Sequence, residues 1–202
     1  MFEPMGKPQP GEWLYEHEEE GQTFDAYKGQ MHNVVDQQRN TIYIKPLESM
    51  DEGFLKHLKA YCECFFHPMK IKVGKKLEST KQITKRVNPY TEKLQLNARD
   101  ILTVLRQSLP KDAFRLIGVA MTDLYPREEW NFVFGLASIR DRTGVFSFAR
   151  YDERFFDDKP YEIDYNRIKY SSMSVMAHEI THMFGVRHCI YYNCLMNGSN
   201  HA

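Results

Sequence analysis

Apolar and polar positions alternate along this chain in short, separable stretches. Thr41–Lys45 reads as a strand that Pro46 ends. Over 51–66, Phe54, Leu55, Leu58, Tyr61, Cys62 and Phe65 recur at helical spacing and predict a helix with one face on a core. Met69, Ile71 and Val73 alternate as a second strand. Asn97 can cap a helix that carries Ile101, Leu102, Leu105 and Leu109 and stops at Pro110. Leu116–Leu124 predicts one buried strand. Phe132–Ile139 and Val145–Arg150 flank Asp141-Arg142-Thr143-Gly144, a hairpin signal. Residues 152–167 are charged and aromatic and predict a surface loop, before a last helix from about Ser171 to Phe184. Residues 1–40 are polar, without periodicity, and predict an irregular segment. Strand and helix alternating, then a hairpin, imply a mixed α/β sheet under helices.

At 202 residues the chain can bury a real core, and one domain over 1–202 is expected. Its 27 Lys and Arg balance its 27 Asp and Glu, which gives no argument for nucleic acid or an anionic membrane as partner. No apolar run approaches the roughly 18 residues of a spanning helix. The first residues, Met-Phe-Glu-Pro-Met-Gly-Lys, lack a basic-then-apolar leader. Four cysteines without a leader suggest a reducing compartment, so an intracellular location, cytoplasmic or nuclear, is expected. Glu16, Glu18, Glu19 and Glu20 cluster and read as a solvated face. His17, His32, His57, His67 and His201 read as ordinary surface or hydrogen-bonded residues.

The other three histidines stand in one string. Residues 178–188 are His-Glu-Ile-Thr-His-Met-Phe-Gly-Val-Arg-His, the pattern HExxHxxGxxH. On a helix, His178 and His182 are offset by about 40° and about 6 Å, so both imidazoles can reach one ion. Glu179, one step round, can lie beside that ion without ligating it. His188 would stand about 15 Å up the axis of a continued helix. The chain must therefore leave the helix first, and Gly185 is the residue able to take positive φ there. Three nitrogen ligands and one open position describe a catalytic zinc site, with Glu179 as general base toward a zinc-activated water. Cys189 and Cys194 would be about 140° apart on a continuous helix and need a turn between them to meet, which Asn193 permits. Cys62 and Cys64 read as plain core thiols.

That string resembles the metzincin metalloprotease signature, in which a Met-turn follows the third histidine. Met196 matches the Met-turn methionine, an apolar floor under the ligands. Residues 188–196, His-Cys-Ile-Tyr-Tyr-Asn-Cys-Leu-Met, resemble the HCx4CxM of archaemetzincins, as do 123–127, 130–135 and 144–151. The resemblance implies a twisted mixed sheet with an antiparallel edge strand, supplied by the 131–150 hairpin, and an active-site helix beneath the cleft. It implies a catalytic zinc on His178, His182 and His188, with Glu179 as general base. It also implies a second, structural zinc on four cysteines. Cys189 and Cys194 would be half of that set, because the downstream CxxC has no counterpart here. Residues 186–202 then read as the start of an incomplete C-terminal subdomain, most of it missing. The expected function is a zinc metallopeptidase, aminopeptidase-like or an endopeptidase on short peptides. A peptide substrate would add as a strand to the hairpin edge. The alternative is a non-catalytic binding protein stapled by zinc, or an inactive truncated product.

Overall fold

Asn97 caps a helix as the sequence places it, and Asp51 caps a second one. The Asp51 carboxylate accepts from Phe54 N at 2.6 Å, and the Asn97 side chain accepts from Arg99 N at 3.0 Å and Asp100 N at 3.2 Å. Each satisfies N–H groups that the first helical turn leaves without a partner. The structure, a computed structural model, describes residues 2–30, 34–157 and 162–199. His32 and His201 lie outside them. The elements run α1 (Trp13–Glu16), α2 (Phe24–Gly29), β1 (Thr41–Pro46), α3 (Glu52–Phe65), β2 (Lys70–Val73), β3 (Lys85–Val87), β4 (Leu94–Asn97), α4 (Ala98–Gln107), β5 (Ala113–Ala120), β6 (Asp123–Tyr125), β7 (Gly135–Ser138), β8 (Thr143–Ser147) and α5 (Tyr165–Met183).

The main sheet has the order β2-β1-β5-β8-β7. β2, β1, β5 and β8 are parallel, and β7 closes one edge antiparallel to β8. This is the expected mixed α/β arrangement with an antiparallel edge strand. β5 is buried throughout and shows why both faces are covered. Ile117 and Val119 point into a core shared with Phe54 and Leu58 of α3 and Met176 and Ile180 of α5. Leu116 and Ala120 point the other way, against Ile101 and Leu105 of α4. Period-two alternation thus feeds two helical layers.

Several expectations change. The strand foreseen over Leu116–Leu124 is two strands in two sheets, because β6 pairs parallel with β4 in a second sheet of order β3-β4-β6. The break falls where the Glu48 carboxylate accepts from Met121 N (2.5 Å) and Thr122 N (2.9 Å), taking donors the ladder would need. The β3–β4 hairpin has little hydrophobic pattern. Its turn is set by Asn88, whose side chain accepts from Tyr90 N (2.9 Å) and Thr91 N (3.0 Å). α5 begins at Tyr165, earlier than expected, with Asp164 accepting from Asn166 N at 3.0 Å. Within 152–167, of which 158–161 are not described, Asp152 and Phe155 are buried around a 3-10 turn at Glu153–Phe156, so this stretch is more than a surface loop.

A buried polar network fixes the stretch leading into β7. Arg150 donates two hydrogen bonds to Asp123, from Nε at 2.9 Å and Nη2 at 2.8 Å. Gln95 Nε2 donates to Asp123 (2.8 Å) and to the Asn131 carbonyl (2.9 Å). Arg86 reaches the Trp130 carbonyl at 2.5 Å. The edge strand therefore starts from an anchored base. No helix among the described residues is long and apolar enough to cross a membrane.

The N-terminal segment, expected to be irregular, carries the short helices α1 and α2 and has a partner. It lies along residues 184–198. Pro4 and Tyr192 form an antiparallel bridge. Met5 N donates to the Tyr191 carbonyl (3.0 Å), and Asn193 N to the Glu3 carbonyl (2.8 Å). Gln22 donates to the Gly185 carbonyl and accepts from Arg187 N, both at 3.0 Å. Tyr27 Oη donates to the Phe184 carbonyl at 3.2 Å.

Candidate metal centre

α5 delivers His178 and His182 from successive turns. It ends at Met183, and Gly185 has φ 91°, in the left-handed region, as the spacing of the motif requires. Gly185 N donates to the His182 carbonyl at 2.9 Å, closing the helix end. The buried Arg115 guanidinium caps the same end, donating to the Met183 carbonyl from Nε (2.9 Å) and Nη2. The chain then returns His188 to the helix face. Ring centroids of His178, His182 and His188 are 4.4, 5.2 and 4.8 Å apart pairwise. One nitrogen from each lies within 4.8 Å of the other two. Among the described residues no other set of three or more His, Cys, Asp or Glu converges in this way.

The donor set fits a divalent cation such as zinc. His178 Nδ1 bonds the Leu195 carbonyl at 2.7 Å and His182 Nδ1 bonds the Val186 carbonyl at 2.7 Å. A carbonyl only accepts, so both Nδ1 atoms carry the proton and both Nε2 atoms are bare acceptors. Those two Nε2 atoms face one another at 2.8 Å, with no proton between them when the rings are neutral. A cation relieves that opposition. Burial pushes His182 down to about 4 and lowers His178, so both rings stay neutral near pH 7, as ligands must. His188 Nδ1 meets Glu19 Oε1 at 2.8 Å.

Glu179 lies on the other flank. A Cβ on Gly135, the first residue of β7, would stand 3.4 Å from Glu179 Cγ, so the edge strand passes directly over it. Burial pushes the Glu179 carboxyl up to about 7, against the pull of His188. Tyr151 is buried nearby, and its hydroxyl is pushed up by burial and then by the Glu179 charge. A cleft of about 380 Å³ opens here, walled by Trp13, Phe134, Tyr151, Val175 and Leu195 around His178 and Glu179. Met196 is buried, one residue after the carbonyl that holds His178.

The chain matches Peptidase family M54 over residues 54–202. The chain belongs to this family. Archaemetzincin-2 of Macaca fascicularis is 34% identical over 232 residues, covering 100% of this chain and 64% of that protein. The chain thus spans somewhat under two thirds of the length of that relative. Two solved structures share the archaemetzincin fold. A zinc-dependent peptidase from Methanocorpusculum labreanum has TM-score 0.62 at 19% identity, covering 79% of this chain and 89% of that one. Archaemetzincin from Methanopyrus kandleri has TM-score 0.60 at 22% identity, covering 84% and 86%.

Of the residues foreseen from sequence, the histidines and Glu179 come together. Cys189 and Cys194 also meet side chain to side chain, and burial first and then that contact raise the Cys194 thiol. His17, His57 and His67 are exposed, as expected of ordinary histidines. Cys62 is buried as a core thiol, but Cys64 is exposed, because it falls on the outer face of α3. Sequence reading missed Glu19, Trp13, Tyr151 and Arg115. Glu19 was expected on a solvated face. It bonds His188 instead, because the N-terminal segment folds back onto the site.

Proposed function

We propose that the chain carries the zinc-binding catalytic part of a metallopeptidase that hydrolyses short peptides, acting as an aminopeptidase or an endopeptidase. His178, His182 and His188 hold the metal through Nε2, and Glu179 is the general base. The observation that carries this is the opposition of two bare Nε2 atoms beside a third histidine, with a half-buried carboxylate under a sheet edge.

A zinc ion held there would supply Lewis acidity toward a water and a peptide carbonyl. Glu179 takes the proton of the attacking water and returns it to the leaving amine, a task suited to a carboxyl lifted toward neutrality. β7 aligns the substrate, since no strand among the described residues pairs with its far edge and an extended peptide can hydrogen-bond along it. The aromatic and aliphatic wall of the cleft receives an apolar side chain next to the scissile bond. Residues 1–202 work as one unit here, because both ends of the chain build the site. Cys189 and Cys194 would supply two of the four ligands of a structural zinc, and among the described residues no third His, Cys, Asp or Glu converges with them.

The test compares wild type, Glu179→Ala and His182→Ala for zinc content and for hydrolysis of a peptide library, with and without chelator. Glu179→Ala should bind zinc and turn over nothing. His182→Ala should lose both. Matched free and N-acetylated peptides separate the two peptidase modes, since an aminopeptidase rejects the acetylated one. Wild-type turnover in Glu179→Ala, or chelator-insensitive turnover, would refute the reading.

A further inference from the structure

Two of the three histidines are oriented by their own neighbourhood. The carbonyls that hold His178 and His182, those of Leu195 and Val186, both belong to the stretch that follows the motif helix. The third is different. His188 Nδ1 is held by a side chain from the far end of the sequence, the Glu19 carboxylate at 2.8 Å. The family match begins only at residue 54, so Glu19 lies outside it.

We propose that Glu19 is a positioning residue of the metal centre: it fixes the ring orientation and tautomer of His188 and so sets the zinc affinity of the site. This rests on the reading that the three rings hold zinc. Glu19 acts on the Nδ1 side of His188 and is not among the converging ligand atoms. Its geometry is prepared. Trp13 Nε1 donates to the same Oε1 at 2.6 Å, and the Trp13 ring stands edge-on to His188 with centroids 5.6 Å apart. Trp13 is in turn wedged against Gly198, where an added Cβ would come within 2.3 Å of the indole. Glu18 and Glu20 on either side are exposed, whereas the Glu19 side chain is 24% exposed. One carboxylate of the acidic cluster is thus singled out by two donors, and the others are not. A carboxylate on the outer nitrogen of a ligating histidine fixes the tautomer and raises its basicity. Losing such a partner typically costs about 10–100-fold in metal affinity.

The experiment measures zinc dissociation constants by competition with a chromogenic chelator, with melting of the metal-free proteins as a check on folding. Wild type, Glu19→Ala, Glu19→Gln and Glu18→Ala are compared. Glu19→Ala should bind zinc about 10–100-fold more weakly, by loss of the outer partner. Glu19→Gln keeps an oxygen that can accept from both His188 and Trp13, and should recover most of the affinity, leaving a loss of about three- to tenfold. Glu18→Ala removes the same charge without touching the site and should stay within about threefold of wild type. Glu19→Ala at wild-type affinity overturns the assignment. So does Glu19→Gln no better than Glu19→Ala, or Glu18→Ala as weak as Glu19→Ala. Should Glu19→Ala not fold, Glu19→Gln carries the test, and wild-type affinity there overturns it. Failure of the wild type itself to bind zinc would instead sink the metallopeptidase reading.

Discussion

Gly185 is the hinge between the helix and the third histidine, and replacing it gives a graded test. Its φ of 91° is open to glycine and strained for residues with a Cβ. Forcing an alanine into the left-handed region costs about 1–2 kcal/mol. For a domain of this size each kcal/mol moves Tm by roughly 2–4 °C, so metal-free Gly185→Ala should melt about 2–8 °C lower. If the backbone relaxes instead, the turn that sets His182 Nδ1 on the Val186 carbonyl (2.7 Å) and returns His188 is displaced. The same energy then appears as a zinc affinity weaker by about 5–30-fold. Asparagine tolerates this region better than alanine, and a β-branched residue tolerates it least. The expected order is Gly, Asn, Ala, Val, read by metal-free melting and by zinc competition. The reasoning fails if Gly185→Ala matches wild type in both measurements, or if Asn is worse than Ala.

Other outcomes follow from the same geometry. Glu179→Gln should keep stoichiometric zinc by elemental analysis while the rate of peptide hydrolysis falls about 10²–10⁴-fold, the scale of lost general-base catalysis. Arg115→Met leaves the Met183 carbonyl without its buried donor, and a urea titration should show about 1–3 kcal/mol lost. Zinc removal should lower the melting temperature, by an amount equivalent to about 4 kcal/mol if free zinc had been 1,000 times its dissociation constant, as read by calorimetry before and after chelation. Burial pushes the Cys62 thiol from 9.0 up to about 12. Its folded pKa is raised, so the associated stability is intact below pH 9 and lost as pH climbs toward 12. Mass spectrometry after alkylation of the native protein at pH 8 should therefore find Cys64 modified and Cys62 spared.

The legible part of this protein is the part written locally. Histidine spacing, the glycine that ends the helix and the cap at Asn97 depend on residues a few positions apart, and each lies where the pattern puts it. The pairing of β7 with β8 was equally plain, although the turn falls at 139–142, two residues before the expected Asp141-Arg142-Thr143-Gly144, and Thr143 and Gly144 are already paired in β8. What escaped depends on long-range partners. The apolar run at 116–124 gives no hint that Glu48 will intercept its N–H groups and divert it to another sheet. Glu19 sits among glutamates that look alike, and only the fold, across 169 positions, tells which one meets a histidine.

β7 also bears on self-association. An unpaired sheet edge invites a second copy of the same chain as readily as it invites a ligand, and long, flat, apolar edges seed aggregates. This one is four residues long and starts with a glycine. One exposed apolar residue, Ile139, separates it from Arg140, Asp141 and Arg142, a charged stop. Leu136 and Ala137 turn their side chains into the two cores and leave little grease for a neighbour. The edge is therefore open enough for a brief visitor and too short to nucleate a fibre.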